Sequence, residues 1–431
     1  MTILSDKKPL QSVKKFYFLD YFYILLLSIE KQSQSEDVFD TFKTLKQKHR
    51  LGESKYKKLT EDGKYLTDRQ QKRYKYTFHQ VVDESKEYEF IEEKNDGIFK
   101  LTKEGRYLLH EYEQKGVTAF NRSVFKHIEA KYEGFRTLVE FLYNANQNRS
   151  GVLIFPHYSP LEIHFERKNM QTTEDIYNYS DGLIKKLQTD IEHYLKRPVN
   201  LYDKNKEILD KLIKDEVLPQ KPSERFNARD YNKITKRIRD FWINYFLTDL
   251  YSCPYTMSTF ELWIYRARQI GIINATEIYP FINGKLVYPT SVVLDHTSSR
   301  DFESIYQYSD GKKLFLHNPM QEAYQDKFVV ALHNGYLALR RVYRNYFINL
   351  AALREIVCHN LKISPQLFEL YLNEVYRLNL IGELRIRISL EVDKLPEETN
   401  AMYLKYEPVM VGGSYRNIIA IDVAKWKNTH G

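Results

Sequence analysis

The chain has 431 residues, 43% hydrophobic and 28% charged, with only 16 glycines and 13 prolines, which excludes a collagenous, low-complexity or largely disordered protein and leaves room for two to four domains. Its two cysteines, Cys253 and Cys358, are far apart and lack a CxxC companion, so neither a disulfide framework nor a cysteine zinc site is indicated, and a reducing cytoplasm fits. The formal charge is +8, and the segment from Lys43 to Lys75, with twelve basic residues against four acidic ones, carries the whole excess.

The run from Phe16 to Ile29 is strongly apolar but contains Asp20. It falls short of the roughly 20 residues needed to span a bilayer, so it reads as a buried helix. Glu36 to Lys48 follows, with Val38, Phe39, Phe42 and Leu45 on one face. Next comes the basic segment, in which Lys55, Lys57, Lys58, Lys72, Arg73 and Lys75 are candidate phosphate ligands. Tyr76 to Glu89 is helical, and Asn95-Asp96-Gly97 between two apolar stretches is a hairpin signal. Leu101-Thr102-Lys103-Glu104-Gly105-Arg106-Tyr107-Leu108-Leu109 then opens another helix.

Residues 16 to 115, taken in this order, resemble the winged-helix domains of many prokaryotic DNA-binding proteins, in which an LTxxGxxLL stretch commonly follows the wing. That resemblance implies a helical domain whose second or third helix enters the major groove.

Asn121 to Asn144 is helical, Gly151 to Pro156 reads as a short buried strand, and Leu161 to Lys168 alternates apolar and polar. Its polar face holds Glu162, His164 and Glu166, and Glu166-Arg167-Lys168 is half of a nuclease signature. A solvated strand face is the stronger reading of that face; a metal-dependent nuclease is the alternative. Arg197-Pro198 and the Pro219 to Pro222 region mark a linker zone.

Arg225 to Leu250 is the most amphipathic helical stretch, with Tyr231, Ile234, Ile238, Phe241 and Tyr245 as its apolar stripe. Arg229, Lys233, Lys236 and Arg237 crowd its other side. After it, Ile264-Tyr265-Arg266-Ala267-Arg268-Gln269-Ile270-Gly271 is echoed by Val375-Tyr376-Arg377-Leu378-Asn379-Leu380-Ile381-Gly382, with Tyr, Arg, Ile and Gly in register. In both copies a helical period gives way to a strand period at the glycine. Asn283-Gly284 marks a hairpin apex after the first copy, and Glu383 to Val392 is expected to pair with Asn417 to Val423 after the second. Between the copies, Tyr324 to Leu350 reads as a long helix carrying Arg340, Arg341 and Arg344.

The expected fold is therefore α+β and predominantly α-helical, with tandem winged-helix modules joined by long helices. The domains fall at 1–118, 119–222, 223–320 and 321–431. The candidate DNA ligands are the cations named above together with Arg266, Arg268, Arg385 and Arg387. No P-loop, dinucleotide fingerprint, nucleophile elbow or HExxH is present, so no catalytic residue, metal site or cofactor is assigned. Modules of this kind resemble accessory subunits of bacterial restriction and antiphage systems, and also plasmid replication initiators. The resemblance implies a non-enzymatic duplex-DNA-binding protein working beside an ATPase or nuclease subunit. A scaffold whose modules bind only proteins is a further alternative, and the mixed charge of the C-terminal copy suits a protein partner.

Overall fold

In the computed structural model the protein is described over residues 13–14, 16–48, 68–94, 97–145, 151–155, 171–226, 231–282, 284–318, 324–384, 386–392 and 408–422. Helices dominate and the sheets are small and antiparallel. No described helix is long and apolar enough to cross a membrane.

Among the described residues one connectivity recurs in three units: a helix, a short strand or a single bridging residue, two helices and two strands. In the first unit α1 (Asp20–Lys31) leads through Gln34 to α2 (Ser35–Lys48), α3 (Asp68–Glu87), β1 (Ile91–Lys94) and β2 (Ile98–Leu101). Gln34 bridges Ile98 on β2, whose other edge pairs with β1. The apolar run read from the sequence is α1, and Phe22, Ile24, Leu25 and Leu26 are all buried. The Asn-Asp-Gly hairpin is in place as β1 and β2, although Asn95 and Asp96 themselves lie outside the described residues.

Thr102 explains the LTxxGxxLL stretch. Its hydroxyl accepts from the Gly105 amide at 3.0 Å, capping α4 (Lys103–Tyr132). It also reaches the Glu89 and Phe90 carbonyls at 2.6 and 3.0 Å, tying the helix to the start of the hairpin. Gly105 then passes so close that a Cβ would sit 2.1 Å from the Phe90 carbonyl oxygen. The helix α4 breaks at Gly116, where φ is +80°.

The second unit is α5 (Gly134–Ala145), β3 (Leu153–Phe155), the added helices α6 (Thr173–Leu195) and α7 (Leu201–Lys214), then α8 (Tyr231–Tyr245), α9 (Met257–Ile270), β4 (Ile273–Thr276) and β5 (Lys285–Pro289). Its sheet order is β3-β5-β4. β3, which precedes the expected boundary at residue 222, pairs with β5, which follows it. The amphipathic helix starts later than its sequence suggests and ends in a π-helical turn, Phe246–Leu250. A second sheet, order β6-β8-β7, is formed by β6 (Ser291–Leu294), β7 (Phe302–Gln307) and β8 (Lys313–His317). It closes over α4 and α5 through Arg122–Glu303 and Arg136–Asp310 ion pairs.

The third unit is α10 (Tyr324–Tyr343), β9 (Ile348–Asn349), α11 (Leu350–Leu361), α12 (Pro365–Leu380), β10 (Arg387–Glu391) and β13 (Ile418–Asp422). The hairpin of β11 (Val409–Val411) and β12 (Ser414–Arg416) interrupts the last two strands. Sheet order β10-β13-β9 repeats that of the second unit, and the expected pairing of 383–392 with 417–423 is found as Arg387 to Glu391 against Asp422 to Ile418. The long helix expected from 324 to 350 stops at Tyr343, and Arg344 takes φ +50°.

Glu129 is a fully enclosed carboxylate at the meeting of α4, α5 and the β7–β8 hairpin. It accepts from the Phe135 and Arg136 amides at 2.9 and 2.8 Å and from the Tyr308 hydroxyl at 2.6 Å. Burial pushes its pKa up to about 7, against the pull of those three bonds.

Two consequences are measurable. Gly105→Ala should lower the unfolding free energy by about 3 kcal/mol in a urea titration, because the clashing atom is backbone and has nowhere to go. For Glu129, a folded pKa above the unfolded value means its stabilising contribution is present below about pH 4.5 and is lost as pH rises through about 7. Melting curves of the protein and of Glu129→Gln should therefore converge as pH is raised from 5 to 8.

Candidate nucleic-acid interface

The helix α3 is the third helix of the first unit. Its inner face, Tyr74, Phe78, Val81 and Val82, is buried in the core, with Phe78 edge-on to Phe39 and Phe42 of α2 at 5.3 and 5.4 Å. That packing turns Lys72, Arg73, Lys75, Tyr76 and His79 outward. Tyr76 is 56% exposed, a large aromatic left on a cationic surface. Among the described residues no ion pair engages Lys72, Arg73 or Lys75, and the acid on this face, Asp83, lies two turns further on and meets Lys14 at 3.5 Å. Among the described residues, the N-terminal half of α3 thus presents concentrated positive charge with an aromatic beside it.

A second cationic surface lies on α8. Ile234, Ile238 and Trp242 are buried, so Lys233, Lys236 and Arg237 face solvent. Further along, Arg239 lies near Tyr17, whose ring is 5.0 Å from that of Tyr265. Burial, followed by Glu261 and Tyr265, raises the Tyr17 pKa, and Arg239 partly offsets them. The segment before α1 also borders α3 through Lys14 and Asp83.

A third group closes α10. Arg340 is 5.7 Å from the Tyr336 ring centroid and 5.5 Å from that of Tyr346. Arg341 and Arg344 are exposed, as are Tyr343 and Tyr346. No hydrogen bond or ion pair among the described residues joins this group to α3 or α8. Arg387 is exposed on β10, while Arg268 is half-buried, with its carbonyl accepting from Gln366 at 3.0 Å.

Arg266 is a correction. Expected on the surface as a DNA ligand, it is wholly buried. Its guanidinium donates to both carboxylate oxygens of Glu84 on α3 at 2.8 and 2.9 Å, and to the Phe16 carbonyl at 3.1 Å. Tyr88 donates to the same carboxylate at 2.7 Å. Nearby, Gln269 donates to the Tyr17 carbonyl and accepts from the Leu19 amide, at 2.7 and 2.8 Å. The helix α9 is thus the joint between the first two units and cannot reach a phosphate there. The signal was present in the sequence: Arg266 falls in the stripe with Trp263 and Ile270, and Glu84 in the stripe with Val81 and Tyr88, so two opposite charges each sit on an apolar face.

Lys55, Lys57, Lys58, Arg229 and Arg385 lie outside the described residues, as do Glu162, His164 and Glu166. Among the described residues no group of His, Cys, Asp and Glu is arranged to hold a metal ion.

Truncating one member of a buried, hydrogen-bonded ion pair strands the other, which costs about 3–5 kcal/mol. Arg266→Ala should therefore unfold at markedly lower urea, whereas Arg266→Met combined with Glu84→Leu should regain most of the loss; equal losses in both variants would contradict this reading of the joint. Comparison with protein-family models, with curated proteins and with solved structures returned no match.

Proposed function

We propose that this protein binds duplex DNA through its first unit, with α3 as the helix that meets the groove. The observation that carries the reading is the outward cationic face of α3, Lys72, Arg73 and Lys75 beside exposed Tyr76. The order helix, short strand, helix, helix, hairpin resembles a winged helix, in which the third helix is the element presented to the major groove. Lysine and arginine side chains on one helical face neutralise phosphates and release counterions, giving affinity that depends steeply on salt.

The three units take different parts in this proposal. The second is a frame, since its third helix is used internally, but its α8 offers Lys233, Lys236 and Arg237 as a further phosphate contact. The third unit carries mixed charge on α12 and suits protein contact better than DNA. This division fits an accessory subunit that brings DNA to a catalytic partner such as an ATPase or nuclease of a restriction or antiphage complex.

Fluorescence anisotropy with a labelled duplex tests the proposal. Binding should be evident at about 50 mM salt, and log affinity should fall linearly with log salt, by about 0.9 per phosphate contacted. Reversing Lys72, Arg73 and Lys75 to Glu should weaken binding by at least about 100-fold and flatten the salt slope by about 3. Absence of binding at low salt, or affinity indifferent to salt, would remove the proposal.

A further inference from the structure

The sequence echo between α9 and α12 places the two helices in register, Gly271 matching Gly382, both at positive φ. In that register the stripe Thr259, Trp263, Arg266 and Ile270 of α9 corresponds to Leu370, Glu374, Arg377 and Ile381 of α12. All four residues are buried in α9, where Arg266 and Trp263 dock the second unit onto Glu84 of α3 and Tyr132 of α4. On α12 the same stripe is open: Leu370 is 59% exposed, Ile381 55%, and Leu380 beside them 67%. The face that serves as a docking surface in one copy lies bare in the other, and its residues are apolar at both ends with a charged pair in the middle.

We propose that this stripe joins two copies of the chain, pairing antiparallel about a two-fold axis that crosses α12. The spacing is self-complementary. Leu370 stands four residues before Glu374, and Ile381 four residues after Arg377. A two-fold midway between Glu374 and Arg377 therefore sets each Glu374 against the Arg377 of the second copy and each Leu370 against its Ile381, as an isologous contact requires. Glu374 and Arg377 already meet within the helix at 2.7 and 3.0 Å, so they are held in place for the cross-contact. The stripe borders a groove of about 560 Å³ whose lining includes Leu370, Glu374, Arg377, Leu380 and Gly412. Acidic Glu374 and the flanking leucines suit this occupant better than a phosphate backbone does.

Sedimentation velocity of the full chain from about 1 to 100 µM tests the pairing. The expected result is a monomer–dimer equilibrium that Leu380→Asp weakens by at least about 100-fold, since the change enters the symmetric interface twice. Glu374→Arg and Arg377→Glu should each dissociate the dimer, because either variant meets its own copy with like charges. Mixing those two variants should restore a dimer, since each reversed residue then faces its opposite. Circular dichroism should show all three unchanged as folded monomers, their sites being at the surface. A monomer at every concentration overturns the proposal, as does a dimer indifferent to these variants or a failure of the mixture to associate. Loss of duplex binding in the same variants, without loss of self-association, also overturns it and assigns the stripe to DNA.

Discussion

The buried pair of Arg266 and Glu84 decides how the first two units meet, and much of the remaining architecture follows from it. Two ions removed from water gain little net stability even when well bonded, but either one alone would be costly. The pair therefore acts as a constraint on geometry: α3 and α9 must approach at the one register in which both guanidinium bonds to Glu84 close. Phe16 supplies its carbonyl to the guanidinium and its ring beneath it at 4.7 Å, so the segment entering α1 is fixed by the same contact. Gln269 extends the joint one turn along α9, and Gln366 of α12 reaches the Arg268 carbonyl beyond it. One helix thus touches all three units.

Seen from α3, the constraint separates two ends of one helix. Glu84 and Tyr88 are drawn inward at the C-terminal end, while Lys72, Arg73 and Lys75 at the N-terminal end stay in solvent. A rigidly mounted cationic helix loses less entropy on meeting a polyanion than a flexible lysine-rich tract would. The three copies of one connectivity have accordingly diverged in what their third helices face: solvent with positive charge in α3, the protein interior in α9, and solvent with an apolar and mixed-charge stripe in α12.

Much of this was readable in the sequence where the signal is local. The apolar run of α1, the Asn-Asp-Gly hairpin, the capped helix at Thr102 and the helix-to-strand change at Gly382 each carry their cause within a few residues. What escaped is non-local. β3 is legible as a short buried strand, but its partner β5 lies beyond four helices and β4, so nothing near it reveals the sheet it joins. The β6-β8-β7 sheet owes its position to ion pairs with α4 and α5, contacts no periodicity contains. Arg266 reads as a surface cation by its charge alone, although a charge on an apolar face with an opposite charge on another is the mark of a buried pair. The cationic faces of α3 and α8 were legible because burial of their apolar stripes leaves only one direction for the lysines and arginines.

If α3 meets the duplex while α9 serves as frame, amide hydrogen exchange with and without a saturating duplex separates the two helices. Exchange should slow across Asp68–Glu87 on adding DNA and stay unchanged across Met257–Ile270. Protection confined to Pro365–Leu380, or none anywhere, would contradict it.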